Sequence, residues 1–486
     1  MDQSASPPLF SGHPLVTDYL SGNLSAFFDY SPDEKGVQAR LSDLAGLSFD
    51  RVTLVRCLRE QNERHGCSPQ TQANITLLEK PETVCITTGH QPILGGGPLY
   101  VAYKILSAVR LAHWISEHFQ VPAVPLFWMG TDDDDLPEVI GAPSPFSAGY
   151  RFHPAKQAGM AGLLPNPSLK TTGLPAIEAG NWGHYHLRLL HRIFGAYGLI
   201  LLDPLDEATQ ILRRPFFDTF LKTTGAFEAV TENTEKLKER GFRPQVNLRD
   251  NDRFLFLREG QYRKRVLHDT DLSGQSLLTS SLSRLLSLEF ILPIAADVAG
   301  PSEIAYHAQT GKLYALLNRT LPPILPRLSA TLYRPEDETS LKQCGISVAE
   351  VVENRLEAEK RAADFCLPGH IRQSLHDLSE NMHNAFGRFQ TELADIYPEL
   401  SGAVAAAHRK TKGVESYLDK KIRTAAKRRF LKEDAAVAAA FHFLHPGPLQ
   451  ERAYHFIYFI ETFPNLLNQI HREAEPFSRY HHLIPL

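Results

Sequence analysis

The segment with the clearest chemical character runs from Thr87 to Lys104 and reads T-T-G-H-Q-P-I-L-G-G-G-P-L-Y-V-A-Y-K. Glycines between a strand and a helix let the backbone approach a ligand closely, and free N–H groups at a helix start attract phosphate. His90 is placed to donate a hydrogen bond to a phosphate oxygen, and Lys104 reaches the same group only if its helix points at the ligand. The segment matches neither the Walker P-loop nor G-x-G-x-x-G, and glycine turns of this kind are also common as purely structural features.

A second candidate is the run of four aspartates in F-W-M-G-T-D-D-D-D-L, from Phe127 to Leu136. Four adjacent carboxylates repel one another, so they are either solvated on a loop or compensated by a cation. Because the run follows a strongly apolar segment, we expect at least one aspartate to face a ligand crevice. It would bind a substrate ammonium group, or a Mg²⁺ ion that bridges phosphates. An exposed acidic loop is the alternative.

The third candidate, G-P-S-E-I-A-Y-H-A-Q, runs from Gly300 to Gln309. Glu303 falls in the first turn of a predicted helix, where the helix dipole alone favours an acid. Tyr306 follows one turn later on the same face. Arg327, in the extended L-P-R-L-S-A-T-L segment, is a candidate for binding a carboxylate. A surface arginine paired within the protein is the alternative.

The elements around these motifs predict an α/β core. Thr83–Thr87 and Val121–Met129 are short apolar runs typical of strands, and the spacing from Leu99 to Phe119 predicts a helix between them. Strand, helix and strand in this order are the building block of a parallel sheet. Further strands are predicted at 198–203 and 292–298, and the runs 254–257 and 262–267 on either side of Glu259-Gly260 predict a hairpin. Since ligands bind at the carboxyl ends of parallel strands, we expect the three motifs to meet there.

Beyond Glu336 the sequence becomes helical, with apolar residues at alternating three- and four-residue steps. This heptad-like pattern predicts two long helices in a coiled coil or helical hairpin, and a helical bundle within one chain is the alternative. The pattern consists of Leu375, Leu378, Met382, Ala385, Phe389, Leu393 and Ile396, followed by Thr411, Val414, Leu418, Ile422 and Ala425. The basic run 410–432 is interpreted as a solvated helix face, with an anion-binding surface as the alternative.

These patterns divide the chain into four predicted segments. They are an N-terminal helical segment packing on the core (1–82), a Rossmann-like catalytic core with insertions (83–335), a helical coiled coil (336–445), and a C-terminal helix and tail returning to the core (446–486).

Composition excludes several classes of function. The 486 residues carry 51 basic and 55 acidic side chains, a net charge of −4 that argues against bulk attraction to nucleic acid or anionic membranes. We see no apolar run of the roughly 20 residues that a transmembrane helix needs, and no secretory signal. The five scattered cysteines and the absence of H-E-x-x-H indicate reduced thiols in a cytoplasmic protein, and no metal site built from cysteines or histidines.

The motifs, taken in order, resemble the bacillithiol biosynthesis cysteine-adding enzyme family, BshC. The matching patterns are T-G-H-Q-P at 88–92, G-P-L-Y-x-x-x-K at 97–104, F-W with an acidic tetrad at 127–135, G-P-x-E-x-A-Y at 300–306, L-P-R-x-S-x-T at 325–331 and L-Q-E-R-x-x-x-F-x-Y-F at 449–459. One position departs from the pattern, because Asp134 stands where the family has histidine. Asp133 and Asp135 on either side remain available.

The resemblance implies a Rossmann-like core with inserted connecting segments and a C-terminal coiled coil that pairs two subunits into a homodimer. It also implies an activity: L-cysteine is joined through its carboxyl group to the amine of glucosaminyl-malate, which gives bacillithiol, a low-molecular-weight thiol of the cytoplasm. One alternative is another ATP-dependent ligase or nucleotidyltransferase on the same core. A non-catalytic dimeric coiled-coil scaffold is the other.

Amide formation in water needs an activated carboxylate, usually an adenylate or acyl phosphate formed from ATP. ATP or ADP, with Mg²⁺, is therefore the expected cofactor. We expect His90 and Lys104 to be catalytic, and Gly89, Gly96 and Gly97 to contact the nucleotide. The expected substrate contacts are Gln91, Tyr100, Asp132, Asp133, Asp135, Glu303, Tyr306 and Arg327. A base must also keep the attacking nitrogen neutral, and the sequence does not identify it.

Overall fold

The structure, a computed structural model, describes residues 7–10, 12–140, 159–165, 175–268, 270, 272 and 276–486. The chain divides into two compact units, the first comprising Met1–Ala330 with Glu451–Ile484 and the second Thr331–Gln450 with Pro485–Leu486. The boundaries between the two units lie at 330/331 and 450/451, whereas the sequence predicts domain boundaries at 335/336 and 445/446. The four-part division itself stays a prediction.

The elements alternate between strands and helices in the first unit and are mainly helical in the second. The strands are β1 Val84–His90, β2 Ala123–Met129, β3 Ile200–Leu202, β4 Asp252–Glu259, β5 Tyr262–Leu267, β6 Leu277–Thr279, β7 Ile294–Ala299, β8 Ile324–Pro326, β9 Ala330–Tyr333 and β10 His482–Pro485. The first helices are α1 Pro14–Leu20, α2 Glu34–Leu44, α3 Arg51–Arg64, α4 Pro69–Leu77, α5 Leu99–His118, α6 Leu136–Ile140, α7 Trp182–Phe194, α8 Glu207–Leu212, α9 Arg214–Lys222, α10 Ala226–Glu239, α11 Ser281–Glu289, α12 Pro301–His307 and α13 Gly311–Ala315. The later helices are α14 Pro335–Lys342, α15 Val348–Glu353, α16 Arg355–Cys366, α17 Gly369–Ala394, α18 Ser401–Glu433, α19 Ala435–Leu444, α20 Gln450–Ala453, α21 Phe456–Thr462 and α22 Leu466–Glu473.

The core of the first unit is a parallel sheet with the strand order β3-β2-β1-β7-β8. The chain moves outward from β1 through β2 to β3, and later returns to the other side of β1 with β7 and β8. This is the Rossmann-like arrangement that the sequence predicts, and it is confirmed. Strand order reverses between β1 and β7, and ligands in such folds bind outside the carboxyl ends of the strands at that point.

Strand β1 is buried on both faces from Val84 to Thr88, which suits the apolar and β-branched residues of this stretch. Val84 and Ile86 pack against α5, whereas Cys85 lies in the cluster on the opposite face. Leu106 and Ile115 of α5 are fully buried, and each such side chain stabilises the fold by about 1.5–3 kcal/mol. Helix α5 and the sheet therefore share an apolar core beneath the site.

Strand β1 continues to His90, beyond the predicted end at Thr87. The extension pairs Gly89 with Trp128 and His90 with Met129 of β2. A side chain at position 89 would bring its Cβ within 2.6 Å of the Trp128 carbonyl oxygen, so only glycine allows the two strands to remain paired there. This pairing places His90 at the edge where the carboxyl ends of the strands meet.

An antiparallel hairpin of β4 and β5 is inserted between the parallel strands, as the Glu259-Gly260 turn predicts. Strand β6 extends it to a three-stranded sheet in the order β5-β4-β6. This insertion contributes Arg263 to the site described below.

The second unit contains the two long helices that the heptad pattern predicts, α17 and α18, which contact each other as a hairpin. Part of the basic run on α18 is paired within this unit. Arg423 forms ion pairs with Asp419 and Asp364, and Lys427 with Glu359. Within the described ranges, no helix of the chain combines the length and apolar composition needed to cross a membrane.

Candidate active site

A cavity of about 520 Å³ opens at the carboxyl ends of β1 and β7, where the strand order reverses. Residues from all three predicted motifs line it, so the structure brings together groups that are far apart in the sequence. The lining comprises Gly89, His90, Gln91, Ile93, Pro98, Tyr100, Lys104, Asp133, Pro137, Glu138, Ser281, Arg284, Gly300, Pro301, Ser302, Glu303, Tyr306, Arg327 and Arg452.

His90 is held by hydrogen bonds at both ring nitrogens. Its Nδ1 lies 3.2 Å from the Gln91 carbonyl oxygen, and its Nε2 lies 3.1 Å from the Tyr100 hydroxyl and 3.6 Å from Glu138. Burial lowers the pKa of His90, and Lys104 lowers it further against an opposing effect of Glu138. Because a carbonyl oxygen only accepts, the neutral ring carries its proton on Nδ1. Nε2 is then the nitrogen with a lone pair at the cavity.

Lys104 and Glu303 form an ion pair in the cavity wall. The ammonium nitrogen lies 2.7 Å from both carboxylate oxygens and also donates to the carbonyl oxygen of Gly89. Burial opposes the charged form of Glu303, but Lys104 and the Gly300 N–H together hold its pKa below the ordinary value. The pair therefore joins β1, α5 and α12 at the point where strand order reverses.

Asp133 is the one member of the aspartate run that lines the cavity. Arg263 on the hairpin lies 2.7 Å from its carboxylate, and Arg284 on α11 lies 3.3 Å away. Burial raises the pKa of Asp133, but the two arginines outweigh this and lower it. Arg263 also contacts Asp134 at 2.5 Å. Arginines of the protein thus compensate part of this acidic run, and binding of a substrate ammonium group or Mg²⁺ there stays a prediction.

Asp132 and Asp135 are placed differently from the sequence-based expectation, because neither lines the cavity. Asp132 is fully buried, and neither carboxylate oxygen has a hydrogen-bond partner among the described residues. Burial raises its pKa, although Arg284, Arg213 and Arg263 act in the opposite direction. Asp135 is exposed to solvent. Their assignment to substrate binding gains no support from this placement.

Glu138 on α6 is a cavity residue that the sequence analysis did not identify. Gln91 donates a hydrogen bond to one of its carboxylate oxygens, and the Tyr100 hydroxyl lies 3.5 Å from the other. Gln91 and Tyr100, both predicted substrate contacts, therefore also orient this carboxylate. A sequence signal existed, since Glu138 follows the aspartate run on the same short segment.

Arg327 lies in the cavity wall as predicted, but its guanidinium is already bound to a protein carboxylate. It contacts both oxygens of Glu451, at 2.9 and 2.6 Å, and Ser329 donates a further hydrogen bond to Glu451 at 3.1 Å. Both charged side chains are buried. The paired arginine is therefore what the structure shows, although the pair is buried rather than on the surface. Tyr306 lines the same cavity, one turn from Glu303.

Two arginines of the cavity were also absent from the predicted set. Arg284 comes from α11, which carries none of the motifs, so no local pattern indicated it. Arg452 belongs to the L-Q-E-R sequence at Leu449–Arg452, and that motif was the available signal. Both reach the cavity through the tertiary fold rather than through proximity in the sequence.

Of the three glycines predicted to contact a nucleotide, only Gly89 lines the cavity. A Cβ atom at Gly96 would lie 2.5 Å from the Phe456 ring, and one at Gly97 would lie 2.7 Å from Val101. Both glycines also have positive φ angles, 84° and 110°. Close packing and backbone conformation therefore explain why glycine occupies these positions.

Comparison with known proteins agrees with this architecture. The family model for the Bacillithiol biosynthesis BshC N-terminal Rossmann-like domain matches residues 4–145, 174–282 and 275–328. The model for the BshC C-terminal coiled-coil domain matches residues 330–486. The resemblance, the fold class and the presence of a coiled-coil domain are thereby confirmed.

Similar proteins are named "Putative cysteine ligase BshC". The Geobacillus thermodenitrificans protein is 29% identical over 73% of this chain and 75% of its own length. The Solibacter usitatus protein is 27% identical over 88% of each chain, and the Bacillus licheniformis protein 25% identical over 98% of each. These names also confirm the expected enzyme class, a ligase. Since the two family models together span most of the sequence, this chain belongs to the bacillithiol biosynthesis BshC family.

Proposed function

We propose that this enzyme joins the carboxyl group of L-cysteine to the amine of glucosaminyl-malate, which gives bacillithiol. The similarity to proteins named cysteine ligases supports the reaction class. The observation that carries the proposal is the position of His90, whose Nε2 lies 3.1 Å from the Tyr100 hydroxyl and 3.6 Å from the Glu138 carboxylate in a cavity at the reversal of strand order. An amine that must lose a proton as it attacks needs a base of this kind.

The proposed proton transfer follows from the tautomer of His90. The amine nitrogen attacks the carbonyl carbon of an activated cysteine carboxyl group, the C–N bond forms, and the activating group leaves with its bonding electrons. The amine proton passes to Nε2, and the Glu138 carboxylate 3.6 Å away stabilises the resulting imidazolium. This role differs from the sequence-based hypothesis that His90 donates a hydrogen bond to phosphate, because Nδ1 already donates to Gln91.

Lys104 is proposed to stabilise the transition state electrostatically. Its buried ammonium group lines the cavity while it is held by Glu303 and by the Gly89 carbonyl group. A fixed positive charge in a largely buried wall favours negative charge that develops on the carbonyl oxygen during attack. Glu303 is then a positioning residue, because it holds Lys104 in place.

The source of the activating energy is a separate part of the proposal. The residues of the glycine turn do not fit the phosphate-binding loop predicted for them, because Gly96 and Gly97 lie outside the cavity. The first N–H of helix α5, from Leu99, donates to the Tyr454 carbonyl oxygen at 2.8 Å. We therefore derive no step through a nucleotide. ATP or ADP, with Mg²⁺, remains the proposed cofactor on chemical grounds.

The experiment incubates the purified protein with cysteine, glucosaminyl-malate, ATP and Mg²⁺, and detects the thiol product and either AMP or ADP by mass spectrometry. Formation of bacillithiol supports the proposal, and the nucleotide product identifies how the carboxyl group is activated. Nucleotide turnover with other acyl donors alone would favour the alternative of a different ATP-dependent ligase or nucleotidyltransferase. The H90A protein is the matched catalytic control.

We also propose that two copies pair through the coiled coil, and that the enzyme works in the cytoplasm. Large apolar side chains are exposed on α17 and α18, among them Phe389 at 52% and Val414 at 64% exposure. Pairing would remove this surface from water. Light scattering on the full chain should give the mass of a dimer. The double variant Phe389→Glu, Val414→Glu should give the mass of a monomer.

A further inference from the structure

The charged residues of the cavity are almost all paired within the protein. Lys104 binds Glu303, Arg284 binds Asp133, and Arg327 binds Glu451. The Arg452 guanidinium, in contrast, makes no hydrogen bond or ion pair with any residue in the described part of the chain. The cavity therefore presents one guanidinium group whose charge is left for a ligand.

The adjacent positions on α20 explain why Arg452 remains unpaired. Glu451 points into the protein, where Arg327 and Ser329 occupy its oxygens, and it is only 2% exposed. Successive residues on a helix point about 100° apart, so Arg452 faces the cavity instead. The carboxylate beside it in the sequence is therefore unavailable to it.

Arg452 and the proposed base His90 line the same cavity, and both are near Tyr100 in their effects or contacts. Burial raises the pKa of Tyr100, Glu138 raises it further, and Arg327 and Arg452 act to lower it. All three charged groups thus act on one phenol, whose hydroxyl also contacts His90 at 3.1 Å. In the described part of the chain, the Glu138 carboxylate forms no ion pair with a lysine or arginine, and the Arg452 guanidinium forms none with a carboxylate. Together the two groups suit a ligand that carries both an amine and a carboxylate.

We infer that Arg452 forms a carboxylate-binding subsite for the malyl group of glucosaminyl-malate, with the amine of the same molecule at His90 and Glu138. This inference rests on the proposed function for the identity of the acceptor. A guanidinium group binds a carboxylate through two parallel hydrogen bonds, which fixes orientation as well as affinity. Arg452 is therefore the residue that selects a malate glycoside over a neutral glucosamine glycoside.

The test compares two ligands by calorimetry on the full chain: glucosaminyl-malate, and methyl glucosaminide, which keeps the amine but has no carboxylate. The wild-type protein should bind the malate glycoside at least about tenfold more tightly, as expected for a charge-assisted contact. In Arg452→Ala this ratio should fall towards one, and Arg452→Lys should retain part of it. Arg56→Ala is the matched control, because Arg56 is exposed on α3 and lies outside the cavity lining.

Two results would overturn the inference: a wild-type protein that binds both glycosides equally, or an Arg452→Ala protein that keeps the wild-type ratio while Arg56→Ala also keeps it. Circular dichroism of each variant confirms that it is folded. Because binding needs no turnover, failure of the proposed function is seen separately. A protein that binds with the expected selectivity but forms no thiol contradicts the reaction and leaves the subsite supported.

Discussion

The Lys104 ammonium nitrogen lies 2.7 Å from both carboxylate oxygens of Glu303, although the two residues are 199 positions apart in the chain. Lys104 belongs to the helix that follows β1, and Glu303 to the helix that follows β7. The pair thus joins the two elements on either side of the reversal in strand order. Both members of the pair line the cavity, so the contact fixes the positions of two charged groups in its wall.

Removing one partner of this pair should destabilise the protein. Lys104 is 2% exposed, so Lys104→Met leaves the Glu303 carboxylate partly buried without its cation. We expect the free energy of unfolding, measured with urea, to fall by about 3–5 kcal/mol. The double variant Lys104→Met, Glu303→Gln should recover part of the loss, because it leaves no unpaired charge. Equal losses in the single and double variants would contradict this coupling.

The contribution of Glu303 to stability should depend on pH in a defined direction. Its pKa is held below the ordinary value of 4.5, so the folded state favours the ionised carboxylate. The stabilisation is complete above pH 4.5 and is lost as pH falls below that value through the folded pKa. The stability difference between wild type and Glu303→Gln should therefore shrink on acidification, as measured by urea unfolding at several pH values. A difference that grows at low pH would show that the sign is wrong.

His90→Ala should reduce ligation strongly and leave the fold intact. Loss of a positioned general base typically reduces the rate by about 10²–10⁴-fold. His90 packs at the cavity and its side chain contacts Tyr100 and Glu138, so the sheet beneath it is not disturbed. Steady-state kinetics and a thermal melt provide the two measurements. Normal ligation by a folded His90→Ala protein would remove the catalytic assignment.

Glu138→Gln should lower the pKa of His90 further. Burial already lowers this pKa from 6.5, and the Glu138 carboxylate is the largest effect that acts against the decrease. Removing that negative charge disfavours the imidazolium form. An NMR titration measures the change, with the His90 signal assigned by its absence in His90→Ala. An unchanged or higher pKa in Glu138→Gln would show that the two groups do not interact.

Gly96→Ala should act on stability rather than on nucleotide binding. A Cβ atom at position 96 would lie 2.5 Å from the Phe456 ring, and the backbone there has a φ of 84°. Overpacking of this kind costs about 1–3 kcal/mol, which a urea titration measures. The same substitution in a Phe456→Ala background should cost less, because the ring is gone. Lost ATP binding with unchanged stability would instead support the predicted nucleotide contact.

Local sequence patterns predicted the parallel strands, the helix after the glycine turn, and the hairpin at Glu259-Gly260. They succeeded because apolar runs and glycine turns act over a few residues. Glu138 was missed although it lies close to the aspartate run, and Arg284 was missed because its helix carries no motif. Asp132 and Asp135 could not be separated from Asp133 by residue type, since burial and arginine contacts distinguish them.

The sequence by itself determined the class of fold, the family, and the three segments that carry the chemistry, because hydrophobic periodicity and motif order are properties of the chain. The tertiary structure alone decided which charged groups are paired within the protein. Lys104, Asp133 and Arg327 are paired with partners from other elements, whereas Arg452 is not. Ion pairs form between groups that folding brings within a few ångströms, and no spacing along the chain encodes that distance.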